Sequence, residues 1–366
     1  MTILLFLAVL FVLILVHEWG HYIVAKKTDM QVDEFGIGFP PKLYGKKVGE
    51  TEYTLNALPI GGFVRIVGEN AEDIVSGEAS NVNPRSFVAK SKWAQTAVLI
   101  AGVTMNVLFA WLLYLIVFIV GVPTVMDEAS ASPEAELVVT QVLADSPAAA
   151  AGIPVGAVIT GLVHEETAVQ ALVPSAFQSF TQSHANRPLT VTYQQNDIEF
   201  VTTVTPVVGL FEGAPEQPVV GVSLGLIENV QYPFGAALWQ ATQRTYQMLG
   251  AITVGLGTLL ANAVIGQADF SQVAGPVGIA GLVGDAASFG FMSLLLFTAA
   301  ISLNLAIINL LPFPALDGGR LVMVGIEAVT RRPINPKWVM RLNGIGIILL
   351  LTLMVVVTYN DILRLL

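Results

Sequence analysis

The chain has no cysteine in its 366 residues. That excludes disulfides, thiolate metal sites and a cysteine nucleophile. Charge is also scarce. Asp, Glu, Lys and Arg make up 12% of the chain, against about 25% in a typical soluble domain. The chain is 54% apolar before its 33 glycines are counted, and its mean hydropathy is +0.70. This balance excludes a disordered chain, argues against a purely soluble globule and points to a membrane protein whose first partner is the lipid bilayer. With 17 basic residues and a net charge of −10, the chain is not a nucleic-acid binder working through basic charge. Histidine occurs four times, and two of the four stand four residues apart inside an apolar segment.

Four charge-free stretches are long enough for a membrane helix, which takes about 20 residues. The first runs from Ile3 through Val16 and continues as His17–Ala25 to Lys26 and Lys27; the others are Trp93–Met126, Ala286–Leu316 and Leu342–Asn360. No basic residue precedes the first apolar run and no small-residue cleavage pattern follows it, so a membrane helix is the better reading than a cleaved signal peptide. Nine basic residues lie between the first and second stretches, from Lys26 to Lys92, and five more lie between Arg320 and Arg341. Positions 127–285 hold two, Arg187 and Arg244. By the positive-inside rule the two basic loops face the cytoplasm, and both termini and the central region face outward. A fifth charge-free stretch, Thr245–Ala268, contains four glycines and several polar residues. Crossing there would put Arg320–Arg341 outside, so it is expected to lie on or partly in the outer interface.

The resulting fold class is a polytopic α-helical membrane protein with four transmembrane helices, a membrane-associated β-hairpin region and one small outward α+β domain. The domain order is helix 1 at 1–27, the cytoplasmic β region at 28–92, helix 2 at 93–126, the outward domain at 127–228 and an interfacial segment at 229–285. Helix 3 with an Asp-Gly motif follows at 286–319, then a cytoplasmic turn at 320–341 and helix 4 at 342–360. In the β region, Tyr53–Leu58, Pro59–Gly62 and Phe63–Val67 read as strand, turn and strand. In the outward domain, strands are expected at Leu137–Val142, Ala157–Leu162, Pro188–Gln194 and Glu199–Pro206, with a helix at Ser175–His184.

The chemistry is concentrated in His17-Glu18-Trp19-Gly20-His21, an H-E-x-x-H pattern. On a helix, positions i and i+4 share a face, so both imidazoles can bind one ion, with Glu18 placed as general base. The bland alternative is two packing histidines beside an incidental acid. It fares badly here, because an acid near the centre of a membrane helix costs of order 2.5–3.5 kcal/mol on insertion scales. A catalytic zinc ordinarily takes three protein ligands. His164 and His184 fall in the outward domain and read as surface histidines. Asp317, in Asn309-Leu310-Leu311-Pro312-Phe313-Pro314-Ala315-Leu316-Asp317-Gly318, follows the third span on the cytoplasmic side. Its prolines and glycines make an irregular segment of the kind tolerated at membrane depth where it lines a cavity. Asp317 could instead be only a helix cap; convergence with H-E-x-x-H favours the ligand.

On these motifs the chain resembles the bacterial site-2 proteases, intramembrane zinc metalloproteases with a PDZ domain. Supporting matches are Gly36-Ile37-Gly38, the hairpin with Gly61-Gly62, and Ser146-Pro147-Ala148 with Ala151-Gly152, the last similar to a PDZ domain. Two departures stand out: Ala101-Gly102-Val103-Thr104-Met105-Asn106 carries valine where the family pattern has proline, and the PDZ-like turn reads Val155-Gly156-Ala157. The resemblance implies a metalloendopeptidase of the bacterial cytoplasmic membrane, with His17, His21 and Asp317 on Zn²⁺ and Glu18 as catalytic base. It adds Asn304 and Asn309, with the Gly61-Gly62 hairpin, as substrate-binding candidates. The implied substrates are single-span membrane proteins already cut by another protease, such as anti-sigma factors or remnant signal peptides. The PDZ-like domain either binds an exposed C-terminus or filters substrates by size. Two rival functions are a metal-binding membrane transporter and a non-catalytic PDZ scaffold; retention of Glu18 speaks against the scaffold.

Overall fold

The structure is a computed structural model that describes residues 2–69, 83–195, 198–210, 216–267 and 274–365. Ala268, the last residue of the expected interfacial stretch, lies outside these, as do parts of the expected β region and outward domain. The chain divides into two compact units: 1–115 with 238–284 and 296–366, and 116–237 with 285–295.

The first unit carries the long apolar helices. Among the described residues, four helices are long and apolar enough to cross a membrane: α1 (Thr2–Lys27), α2 (Lys92–Val120), α7 (Phe291–Leu310) and α9, apolar over Pro336–Arg364. Their sides carry exposed Ile, Leu and Val, such as Ile348 and Val355 on α9, as expected of a surface solvated by lipid. Two of the expected spans are shorter in the fold. The Trp93–Met126 stretch is helical only to Val120 and continues as strand β3 (Val122–Met126). The Ala286–Leu316 stretch is split, since helix α6 (Pro276–Ser288) ends before α7 begins. Gly290, with φ +100°, lies between them. The Thr245–Ala268 stretch falls within helix α5 (Phe234–Val264) and the turn after it.

Between α1 and α2 the chain forms a curled two-stranded sheet, β1 (Val32–Val48) and β2 (Thr51–Ile66). The expected turn at Pro59–Gly62 lies inside one continuous strand, but the chain does reverse there: Glu52–Leu55 runs in the same direction as Glu34–Ile37, and Gly62–Ile66 runs against it. The reason lies in β1. Its Val32–Ile37 half offers hydrogen-bonding groups along both edges, and each must find a partner when buried. The two halves of β2 supply them, Glu52–Leu55 on one edge and Gly62–Ile66 on the other. The turn expected there is therefore the place where β2 reverses and curls over its partner.

The sheet is fixed to the end of α1 by chemistry as well as packing. Tyr22 and Tyr53 share a 2.5 Å hydroxyl hydrogen bond. Ala25, Met30, Val32, Ile66, Phe87, Val98, Leu99 and Val324 form one buried cluster. Glu50, in the β1–β2 turn, receives Arg85 through two hydrogen bonds of 2.6 and 2.9 Å and also pairs with Lys26 of α1. The Arg85 guanidinium and then the Lys26 ammonium hold its carboxyl down to about 2.

The second unit contains a seven-stranded antiparallel sheet in the order β3-β9-β4-β5-β7-β8, with β6 paired to β5. Its strands include β4 (Glu136–Val142), β5 (Val158–His164), β6 (Thr167–Ala168), β7 (Leu189–Gln195), β8 (Ile198–Val204) and β9 (Val222–Val230), and it carries helices α3 (Pro147–Ala150) and α4 (Pro174–Ser183). Alternation set the expectation for β7, and Leu189, Val191 and Tyr193 are buried there. They join Leu137, Val139, Ile159 and Phe177 in one core. Ser146 caps α3 by accepting from the Ala149 N–H at 3.2 Å, with Pro147 at the first helical position.

Candidate active site

The site is built on α1. Its i, i+4 spacing stacks His17 and His21 one turn apart, with Nε2 atoms 3.1 Å apart and both rings buried. Asp317 opens helix α8 (Asp317–Thr330) after the Pro312–Leu316 segment. Gly318 and Gly319 are required there by close approach: a Cβ on either would lie 2.2 Å from a carbonyl oxygen, of Leu311 or Phe313. Asn343 of α9 accepts from the Ala315 N–H at 3.2 Å, and Lys92 of α2 pairs with Glu327 of α8 at 2.6 Å. These contacts hold the start of α8 so that Asp317 Oδ2 lies 3.1 Å from His17 Nε2 and 3.4 Å from His21 Nε2.

The trio fits a zinc ion. Ligands at about 2.0–2.2 Å in a tetrahedral arrangement stand roughly 3.3–3.6 Å from one another, close to the three separations here. Asp317 Oδ2 is buried and has no hydrogen-bond donor in good geometry among the described residues. Space for an ion is kept by Gly102 of α2, where a Cβ would lie 2.3 Å from His21 Nε2 and 2.7 Å from His17 Cε1. The outer nitrogen of His21 is also set: Nδ1–H donates to the Val98 carbonyl at 2.8 Å, which leaves the Nε2 lone pair free for metal. No other group of three such ligands occurs among the described residues.

Glu18 lies beside the trio and lines the same cavity, of about 310 Å³, with Phe63–Arg65 of β2, Glu69 and Arg320. Glu69 and Arg320 are paired with each other. Gly62 passes close to Glu18, whose Cγ would be 3.8 Å from a Cβ at that glycine, whereas Gly61 faces Phe39 and Ile14. Asn304 is exposed and donates to Ala300 within its own helix at 3.1 Å; neither Asn304 nor Asn309 lines this cavity. His164 and His184 belong to the second unit. Their rings are 4.6 Å apart, and each Nδ1 contacts a backbone carbonyl, of Pro188 and Phe180 respectively. Sequence reasoning gave no role to Gly102, Glu69 or Arg320. Arg320 was findable, three residues after Asp317 and so on the same helical face.

Two histidines on a helix apolar enough to span a bilayer, converging with an aspartate and beside a glutamate, define the class of membrane metalloproteases. Comparison with known proteins agrees and is more specific. Residues 5–353 match the model of peptidase family M50. A Clostridium perfringens protein, named as a candidate zinc metalloprotease, is 37% identical over 354 residues, covering 96% of this chain and 95% of its own. The zinc metalloproteases RasP of Oceanobacillus iheyensis and Bacillus licheniformis are 31% and 29% identical, each covering all of this chain and 99% of its own. The chain belongs to peptidase family M50. It is a multi-pass membrane zinc metalloendopeptidase.

Proposed function

We propose that this enzyme is a site-2 protease that cuts peptide bonds within or at the edge of membrane-spanning helices, in regulated intramembrane proteolysis. The observation that carries the reading is the placement of the ligand trio. His17 and His21 sit on a helix apolar enough to span, within 3.4 Å of Asp317. His17, His21 and Asp317 hold the zinc, which when bound supplies Lewis-acid polarisation of the scissile carbonyl and acidifies water. Glu18 takes the proton of the attacking water and passes it to the leaving amine. A helical substrate hides its carbonyls in i→i−4 hydrogen bonds and must unwind first. Among the described residues, the Gly62–Ile66 run pairs only with β1. Phe63–Arg65 line the cavity, so the outer edge of the run can receive the unwound segment as an added strand. Asn304 and Asn309 on α7 are candidates for holding the remaining helical part of the substrate, since an amide donates and accepts at once.

The substrates of this reading are single-span membrane proteins whose outer part another protease has removed, as anti-sigma factors and remnant signal peptides are. The β-rich second unit is read as one PDZ-like domain. A groove of about 610 Å³ runs beside α4, lined by Phe177, Thr181 and Pro218–Leu224; its apolar wall suits the exposed C-terminus of a trimmed substrate. The enzyme is placed in the bacterial cytoplasmic membrane with both termini outside. Helix α5, with Trp239, Tyr246 and Val254 exposed, lies along the outer interface. A topology reporter fused after residue 267 is expected to read outside; a cytoplasmic reading overturns that placement.

The catalytic reading is tested with the full chain in liposomes and a single-span substrate lacking its outer domain. The wild type is expected to cleave it, to lose cleavage on chelation and to regain it with zinc. Asp317→Asn is expected to lower zinc content, measured by mass spectrometry, and cleavage together. Unchanged zinc in Asp317→Asn removes Asp317 from the metal site.

A further inference from the structure

The sequence Ala101-Gly102-Val103-Thr104-Met105-Asn106 ends in a residue with no role in the reaction described above. Asn106 is fully buried in α2 at 0% exposure. Its Nδ2 lies 3.4 Å from Nδ1 of His17, and its Oδ1 is buried with no hydrogen-bond partner. Leaving a buried amide oxygen unpaired forfeits its hydration without return, and so needs a reason. Its backbone is held as well: Ser302 of α7 donates its hydroxyl to the Asn106 carbonyl at 2.8 Å.

We infer that Asn106 is a positioning residue for His17, whose amide sets which ring nitrogen carries the proton. The inference rests on the reading of His17 as a zinc ligand. The two histidines are not equivalent. His21 Nδ1 faces a backbone carbonyl, which can only accept, so its tautomer is fixed. His17 Nδ1 faces an amide, which can donate or accept. With the Asn106 N–H donating to Nδ1, the ring proton sits on Nε2 and is donated to Nε2 of His21, 3.1 Å away. That is a stable resting arrangement without metal. A metal ion needs the Nε2 lone pair, so the proton must move to Nδ1, and then Asn106 has to accept it. Rotating the amide by half a turn exchanges Nδ2 and Oδ1 and brings the unpaired oxygen onto Nδ1. The orphaned oxygen is thus the acceptor for the metal-loaded tautomer. Asparagine serves both states; an aspartate serves only the loaded one, and an apolar residue serves neither.

The test is zinc affinity of the full-length protein in detergent, measured by competition with a chelating dye after metal removal. Asn106→Leu, close in size, is expected to weaken zinc binding about 10–100-fold, the usual cost of losing such an outer partner. Asn106→Asp is expected to bind within about threefold of the wild type or tighter, because a carboxylate accepts the Nδ1–H. If Asn106 served only packing, the order would reverse, since leucine fills the buried site and aspartate adds a buried charge. Leucine binding zinc as tightly as the wild type, or aspartate binding more weakly than leucine, overturns the inference. Melting curves of the metal-free proteins identify a leucine variant that has not folded; Asn106→Ala then replaces it in the comparison with Asn106→Asp. His17→Ala separates the two levels of the argument. If it keeps wild-type zinc affinity, the ligand assignment itself fails. If it loses zinc while Asn106→Leu does not, only the role of Asn106 fails.

Discussion

Glu18→Gln is expected to lower the cleavage rate about 10²–10⁴-fold, the range for loss of a general base, while zinc content stays at the wild-type level. Glutamine keeps the length and shape of the side chain but cannot take a proton from the attacking water. Glu18 is not among the three converging ligands; it lines the cavity next to them. The variant therefore separates holding the metal from using it. It also separates proteolysis from metal transport, since transport needs no base at this position. Cleavage is measured with a truncated single-span substrate and zinc by mass spectrometry on the same preparation. Wild-type cleavage by Glu18→Gln rules out this mechanism.

The second large effect is expected at a residue with no functional group. In an exposed helix interior, glycine to alanine stabilises by about 0.8–1.0 kcal/mol. At Gly102 the same change puts a methyl 2.3 Å from His21 Nε2 and 2.7 Å from His17 Cε1, distances real carbon contacts do not show. The methyl enters the space into which the ligand atoms point, so either the rings turn away or α1 and α2 separate. Gly102→Ala is expected to lower both zinc occupancy and cleavage by at least about tenfold, the lower bound for disturbing a ligand's surroundings. Gly255→Ala in α5, where a Cβ meets nothing within 4 Å, is the matched control and is expected to keep full zinc and full cleavage. Full zinc occupancy in Gly102→Ala would show that the ion does not need this space.

What could be read in the sequence and what could not divides along one physical line. His17, Glu18 and His21 were legible because a helix converts spacing of four into one face. Asp317 was legible because prolines and glycines mark an irregular segment, and charge placement put it on the same side as the histidines. The strands of the second unit were legible from alternation, as Leu189, Val191 and Tyr193 illustrate. The turn at Pro59-Ile60-Gly61-Gly62 was legible from its composition, but the pairing of its arms was not, because they are held by opposite edges of β1, more than twenty residues before the turn. The meaning of Gly102 was hidden for a similar reason. A missing side chain carries no signal until the helix crossing brings His21 against it. Asn106 was noticed as part of a pattern, but its partner is 89 positions away.

The metal site also has an order in time. Its first two ligands are at positions 17 and 21, and its third is at 317, so the third is synthesised 296 residues after the second. A polypeptide that stalls, or is cut, anywhere before α8 carries the glutamate and both imidazoles but cannot close the ligand set around an ion. The closing carboxylate is the last of the three ligands to be made, and it comes with α8.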